Sequence, residues 1–540
     1  MLRNSLYELK RTKEIFFILA KYGFGDLIES IGFSIPFKSS PKLSRSERIR
    51  KAIEELGPTF IKLAQLLSLR PDLIPLDLVK EFEKLQDNVT PLGFEEMKKV
   101  LEEELECEYT EIFEEDFELL ASASIGQVYK ARLKTKEEVA VKILKPGIEE
   151  KIYADIAILQ RLAKLLRERF LIYGVDLVRI VEEFAKSIKK ELDFNIEALN
   201  LKRFASNFRN NPNIKVPKLY EKYSTKRVLS MEYINGVKIS DTEKLKKLGY
   251  DLKDITKKGF DLICEQIFIH RFFHADPHPG NLMVSDGKIV FLDFGIMGRL
   301  SEEDREYFVE LIYYVIKNEE EKAALYVLKL SKVEGDIDIS SFKKEMADII
   351  SSYFYSSLKQ VELKSLIEDM LKVMQRYRIY FKEDNYLLAK SLVTMEGIGK
   401  KLYPEFNAAE EIKPFILKIY KESFSPFNVL KKSHEINKSL IEFITRFPSD
   451  VNEIFERLKR GDLKVEFEHV GLENFEETIE KSFNRLSTAI IIASLLIGSS
   501  MLLSSHIPPL FKDVSLFGII GFVFASILGV VLIFTILRKK

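Results

Sequence analysis

The chain has 540 residues, 46% hydrophobic and 31% charged, an ordinary globular composition with room for two or more domains. Lys plus Arg and Asp plus Glu both number 83, so the net charge is zero, and no basic block with interleaved aromatics marks a nucleic-acid groove. Cys107 and Cys264 offer no disulfide or metal framework and read as plain buried thiols of a reducing compartment.

In chain order, the first run, MLRNSLYELKRTKEIFFILAKYGF, carries charge on both sides of a short apolar stretch and lacks a small-residue cleavage site. It reads as an amphipathic helix lying on the protein or on a membrane, not as a signal peptide. The pattern loosens through Pro36, Ser39, Ser40 and Pro41, then turns helical again from Ser46, with Pro58 at a helix start and Pro71 and Pro75 beyond its end. Lys62 and Gln65 are three apart and share one face of that helix. Residues 78–115 continue as acidic helix.

The period changes at Phe117. FELLASASIGQVYKARLKTKEEVAVKIL reads as strands flanking a loop at Ala121 to Gly126 and joined by a turn at Thr135-Lys136-Glu137. A loop of small residues lets backbone N–H groups approach phosphate, and Lys142 on the neighbouring strand can reach the α- and β-phosphates. Helix follows from Ile148 to about Phe208, where Glu191, Asp193 and Glu197 are candidates to pair with Lys142 or to bind metal. Asp193 and Glu197 are four apart and expected on one helical face. VPKLY…KRVLSMEYINGVKI reads as a strand pair running into a linker from Met231 to Gly236, whose backbone, at Glu232 and Ile234 for instance, can face an adenine between two lobes.

The densest chemistry lies in HRFFHADPHPGNLMVSDGKIVFLDFGIMG, residues 270–298. Asp276 is followed five positions later by Asn281, then by an apolar strand-turn-strand around Asp286-Gly287, then by Asp293-Phe294-Gly295. Such a set handles a nucleotide phosphate: one carboxylate orients or deprotonates a nucleophile, while the Asn and second Asp hold divalent metal. The peptide-docking shelf of a protein kinase has no counterpart, since Arg299-Leu300 leads directly into the helix start Ser301 to Asp304, with helix expected through about Lys332. Ala275 stands where protein kinases place an Arg that senses loop phosphorylation.

Residues 335–480 add amphipathic helices without a chemical motif. From Ser487 the composition turns apolar: Ser487–Ser505 and Ser515–Leu537 are each about long enough to cross a bilayer. Arg485 before them and Arg538-Lys539-Lys540 after them place both flanks and the catalytic domain on the cytoplasmic side of a cytoplasmic membrane. Ala489/Ala493 and Gly521/Ala525/Gly529 would allow close approach of the two helices, or of helices of a second copy in a homodimer.

With these pieces assembled, the chain resembles the UbiB family of atypical kinase-like ATPases associated with quinone and isoprenoid-lipid metabolism, over about residues 20–410, most specifically at HADPHPGN, 274–281. The resemblance implies that Lys62 and Gln65 belong to a Lys-x-Gly-Gln helix folded over the active site, here with Ala64 in the Gly position. It implies an alanine-rich nucleotide loop at Ala121-Ser122-Ala123-Ser124, a Glu-x-Asp at Glu191 and Asp193, Glu197 as the partner of Lys142, and Asp276, Asn281 and Asp293 in the catalytic and metal positions. ATP or ADP and Mg2+ are the expected cofactors; membrane lipids, quinone precursors and quinone-biosynthesis enzymes are the expected partners.

The expected fold is α+β: a helical extension over 1–115, a kinase-like N-lobe over 116–235, a helical C-lobe over 236–410, a helical extension over 411–486 and a transmembrane hairpin over 487–540. The leading function is a membrane-anchored ATPase supporting isoprenoid quinone synthesis. A small-molecule or lipid kinase and a nucleotide-gated scaffold are the alternatives.

Overall fold

The computed structural model describes residues 2–25, 43–68, 74–85, 90–171, 177–335, 337–355, 362–423, 473–505, 508–511 and 514–537. The Pro36 to Pro41 joint, Pro71, most of 411–486 and the terminal Arg538-Lys539-Lys540 lie outside them. The chain divides into two units, Met1–Leu430 and Lys431–Lys540.

The leading part of the first unit is helical: α1 (Leu2–Lys21), α2 (Arg45–Leu56), α3 (Pro58–Ser68), α4 (Leu76–Phe82) and α5 (Phe94–Leu105). Ser44 and Glu47 form a reciprocal capping box at the start of α2. Gly57, at φ 94°, ends that helix, and Pro58 opens α3 at the position where a missing N–H costs nothing. The first run rests on the protein: Ile15, Phe16 and Ile18 are buried with Leu56, Phe60 and Ile158. Asp155, on α6 (Ile148–Leu171), fastens this layer. Arg11 donates to Asp155 Oδ1 at 2.8 Å and to the Leu56 carbonyl at 2.6 Å, and the Thr59 hydroxyl donates to Asp155 Oδ2 at 2.6 Å.

Strands β1 (Glu118–Ser122), β2 (Gly126–Arg132), β3 (Glu138–Leu144), β4 (Ile214–Lys215) and β5 (Val228–Glu232) follow, and all but β4 build an antiparallel sheet in the order β1-β2-β3-β5. Strand alternation divides β3. Val139, Val141 and Ile143 face Met97, Val100 and Leu101 of α5, whereas Lys142 faces the other way. Three helices, not one continuous run, cross from β3 to β4: α6, α7 (Leu177–Glu191) and α8 (Phe194–Asn207). The expectation that Asp193 and Glu197 share a helical face is therefore corrected. Asp193 has extended backbone and caps α8, accepting the Asn195 N–H at 3.0 Å. The expected pairing of VPKLY with the next strand reduces to one Leu219–Met231 bridge, and β4 instead joins the other lobe.

That second lobe holds β6 (Val237–Lys238), α9 (Leu252–Cys264), β7 (Phe272–His274), β8 (Leu282–Ser285), β9 (Lys288–Phe291) and β10 (Met297–Arg299). Its sheet runs β4-β9-β8-β6, with β7 and β10 paired separately. Asp286 and Gly287 both have positive φ, 51° and 73°, as a two-residue hairpin of this hand requires. Residues 233–236 pass from one sheet to the other. Ser301 caps α10 (Glu302–Lys317) by accepting the Asp304 N–H, so the kinase shelf is absent here as expected. The helix stops at Asn318, in left-handed conformation, and α11 (Glu320–Lys329) and a short strand, β11 (Ser331–Val333), replace the single helix expected through Lys332. α12 (Ile339–Tyr355), α13 (Leu363–Arg376), β12 (Ile379–Phe381), α14 (Glu383–Leu402) and α15 (Ala408–Ser423) complete the unit. Cys264 is buried; Cys107 is only partly so, contrary to expectation.

In the second unit, α16 (Glu473–Ser504) runs through the composition change at Ser487 without a break and packs on α17 (Leu516–Leu537). Leu486–Ser504 is long and apolar enough to cross a membrane. Ala525 is fully buried against α16, and a side chain at Gly518 would meet the Leu503 backbone at 2.7 Å. Ala489 and Ala493 face outward instead; among the described side chains of α16, Ile492 and Ser499 are the buried ones.

Replacing Arg11 by Met strands the buried Asp155 charge. Chemical denaturation should register a loss of about 3–5 kcal/mol, the usual cost of removing one partner of a buried pair.

Candidate nucleotide-phosphate site

Lys142 leaves β3 toward the cleft between the lobes. Its ammonium donates to Glu197 Oε2 at 2.7 Å, lies 3.9 Å from Asp293 Oδ2 and sits over the Phe194 ring at 5.1 Å. Burial works against the charged ammonium, but Asp293 and Glu197 outweigh it and raise Lys142 above the ordinary lysine value. Glu197 is pushed up by its own burial against the pull of Lys142. Asp293 feels the same opposition. Burial favours its neutral form, yet Lys142, the Gly295 N–H and Lys62 outweigh that and hold it down to about 2. The carboxylate stays ionised at any working pH.

Helix α8 does more than present Glu197. Phe294 N–H approaches Glu197 Oε1 at 3.5 Å, and Asn200, one turn on, donates to the Phe294 carbonyl at 2.9 Å. The backbone beside Asp293 is thereby gripped on both sides, and Phe294 is fully buried against Phe204.

The catalytic-loop segment is held from behind by buried polar groups. Gln266 lies in a π-helical turn, Glu265–Ile269, and accepts the His274 N–H at 2.9 Å; Ser391 donates to the His274 carbonyl at 3.0 Å. His274 Nδ1 accepts the Asp276 N–H at 3.2 Å, and burial lowers this imidazole below the usual histidine value, so it is neutral with its proton on Nε2. Asp276 projects into the cleft, half-exposed, with its carbonyl accepting from His278 N–H at 2.8 Å and Asn281 Nδ2 at 3.3 Å. Asn281 is tied in turn to the Asp293 side, accepting the Leu292 N–H at 3.0 Å.

Above the cleft, α3 brings Lys62 to Glu191 at 3.1 Å. Lys62 is near enough to depress Asp293 and to oppose Lys142 electrostatically, so the helix roofs the site. Ala64 is fully buried in an apolar cluster with Ile61, Phe82 and Leu85. Its methyl thus serves the packing of the extension. Gln65 is half-buried on the same helix.

Among the small residues, Ala121 and Ser122 belong to β1, and the loop proper is Ala123 to Ile125. Gly126 is required, because a Cβ there would sit 2.9 Å from the Ile143 carbonyl. Lys145 donates to the Ala123 carbonyl at 2.7 Å, and burial lowers this lysine. The hydroxyls of Ser122 and Ser124 are buried and have no hydrogen-bond partner among the described residues. The Glu232 side chain pairs with Lys215 at 3.0 Å and accepts the Lys218 N–H, and its backbone N–H donates to the Lys218 carbonyl at 2.8 Å; Ile234 is buried nearby.

The structure therefore brings together Lys142, Glu197 and Asp293, with Asp276 and Asn281 joined to them through the backbone and Lys62 overhead. It does not gather Glu191 and Asp193 into an acidic cluster with Asp293: no group of three or more His, Cys, Asp or Glu able to hold a metal forms among the described residues. Glu191 is engaged by Lys62 and Asp193 caps a helix. Asn281 and Asp293 supply oxygen donors suited to Mg2+, and the unpaired Ser122 and Ser124 hydroxyls suit phosphate oxygens, so the residues present fit Mg-ATP. Asn200, Gln266, His274 and Lys145 escaped sequence reasoning. For Asn200 the signal was available, since it lies one turn after Glu197 on the same helix.

This geometry is a kinase-like constellation of Lys, Glu, Asp and Asn on a two-lobed fold. Comparison with known proteins agrees. The ABC1 atypical kinase-like domain matches residues 84–327, the UbiB helical domain 346–407 and the ABC1/UbiB kinase-like C-terminal domain 470–538. A Clostridium pasteurianum protein, described as an uncharacterized protein in the hydrogenase 1 5′ region, is 33% identical over 99% of both chains. A probable protein kinase UbiB of Cellvibrio japonicus is 34% identical over 79% of this chain and 78% of its own, and one of Marinobacter nauticus 31% over 84% and 82%. The chain belongs to the ABC1/UbiB family of atypical kinase-like proteins.

The Asp293 shift sets a pH signature. A carboxylate depressed from 3.8 to about 2 on folding stabilises the native state fully above the unfolded value, and that contribution disappears as pH falls through the folded one. Asp293→Asn should therefore be less stable than the parent at pH 7, with the gap closing between about pH 4 and pH 2. Denaturant titrations across that range measure it.

Proposed function

We propose that the protein is a membrane-anchored, kinase-like ATPase that binds Mg-ATP and supports isoprenoid quinone biosynthesis by acting on, or exposing, lipid precursors. The observation that carries this reading is a complete Lys142–Glu197–Asp293 assembly roofed by the Lys62 helix, with no shelf after Gly298 on which a peptide could lie. A roof suits a small or lipidic acceptor, or water. The apolar segment Leu486–Ser504 supports a membrane setting, and the relatives named UbiB support the quinone connection.

In this reading Lys142, oriented by Glu197, grips the α- and β-phosphates, and Asn281 and Asp293 hold the metal. Mg2+ held by Asn281 and Asp293 would supply positive charge to offset the negative charge that develops on transfer. Asp276, positioned by the neutral His274, orients the attacking water or hydroxyl. The catalytic unit and the chain ends are assigned to the cytoplasmic face, and a second apolar helix, α17, to a return span.

The test is phosphate release from ATP by the full chain, with and without liposomes containing a prenylated phenol. Turnover should rise with the lipid and fall by about 100-fold or more in Asp293→Asn, the scale on which loss of one transition-state stabiliser acts. Label appearing on the phenol would instead make the protein a lipid kinase. Tight Mg-nucleotide binding without turnover in any condition would refute the catalytic reading in favour of a scaffold.

A further inference from the structure

Outside the cleft, two arginines from two elements lie over one phenylalanine, and a third arginine precedes that phenylalanine in the chain. Arg203 follows Glu197 on α8, Arg271 immediately precedes β7, and Arg299 ends β10. The Phe272 ring beneath them is fully buried, with the Arg203 guanidinium carbon 4.4 Å and that of Arg299 5.6 Å from its centroid. Such contacts fix the planes of two guanidinium groups while leaving their N–H edges to solvent. Arg271, held at φ 52°, reaches Glu302 at 3.4 Å, but that carboxylate is 69% exposed and neutralises it weakly. Asp384, the other acid here, accepts the Arg299 backbone N–H at 3.0 Å. Among the described residues the Arg203 and Arg299 side chains form no ion pair.

Packing like charges together costs free energy that an anion would relieve. The strain is visible at Arg203, which is lowered by burial and then by Arg299 and Arg271. Neighbouring guanidinium groups are the chemistry that grips phosphate, each able to offer two parallel N–H donors to a pair of oxygens. We propose that Arg203, Arg271 and Arg299 form a binding site for a phosphate-type dianion, carried free in solution or on a lipid headgroup. A dianion there links the helix bearing Glu197 to the strand leading into Asp276 and the strand leaving Asp293. The site is separate from the nucleotide cleft and its occupation does not depend on turnover.

The experiment uses the full chain in detergent, beside the same chain with Lys142→Met, which weakens phosphate binding in the cleft and so marks any cleft contribution. Inorganic phosphate should raise the melting temperature saturably, and adding Arg203→Gln with Arg299→Gln should weaken the apparent affinity at least ten-fold. Water-soluble short-chain phosphatidic acid distinguishes the sources. If it binds at least ten-fold tighter than phosphate in the same arginine-dependent way, the ligand is a lipid headgroup; if the two are equal, it is a free phosphate. No saturable response, or one indifferent to the arginines, overturns the proposal. So does a double variant that melts several degrees lower in phosphate-free buffer, because that result assigns the arginines to packing on Phe272. Relief of repulsion predicts a melting temperature at least as high as the parent's.

Discussion

The ion pair between Lys142 and Glu197 is the constraint around which the first unit is built. Taking both charges out of water is costly, and the pair holds only because Asp293 adds a second counter-charge and α8 is fixed in place. Everything that fixes α8 therefore contributes to the site. Asp193 starts it, Phe204 and Leu201 bury it, and Asn200 ties it to the Phe294 carbonyl. The strand carrying Lys142 is aligned from the opposite face, where α5 packs on Val139 and Val141.

What was legible in the sequence follows from how local each determinant is. The 270–298 stretch was readable because its chemistry is written contiguously: a hairpin turn with two positive-φ residues, an Asp and Asn five apart, and an Asp before Phe-Gly. Lys142 was readable from its place on the strand beside a small-residue loop and ahead of the acidic helix and the Asp…Asn…Asp stretch. The helix break at Leu192-Asp193 was not, because a lone capping Asp among good helix formers looks like one more surface acid until Asn195 N–H is seen to bond it. Gln266 and Ser391 were invisible for a different reason. Each acts by one hydrogen bond to the His274 backbone, Gln266 from eight residues away and Ser391 from 117, and a polar residue among apolar neighbours carries no mark of where it points.

The Ala64 position illustrates how a motif departure is judged once neighbours are known. From sequence, a methyl in place of hydrogen on a roofing helix raised the question of how near that helix comes to nucleotide. Its burial with Ile61, Phe82 and Leu85 places it on the side of the extension's own core, while Lys62 faces the cleft. The departure is absorbed by packing.

The roofing helix is also held at both of its ends. Thr59 is bonded to Asp155 in the first lobe, and at the other end the Ser68 carbonyl accepts the Tyr386 hydroxyl of α14 at 3.4 Å, with Lys80 paired to Glu368 of α13 nearby in sequence. Two-lobed enzymes commonly admit and release nucleotides by swinging about their linker. A strap fastened across both lobes removes that freedom unless one fastening lets go. Among the described contacts, the exposed Lys80–Glu368 pair and the long Tyr386 hydrogen bond are weaker than the buried Arg11–Asp155–Thr59 knot, which makes the second-lobe end the looser of the two fastenings. A nucleotide held in the cleft would then leave only as fast as the roofing helix peels from α14, a step that neither lobe contains by itself.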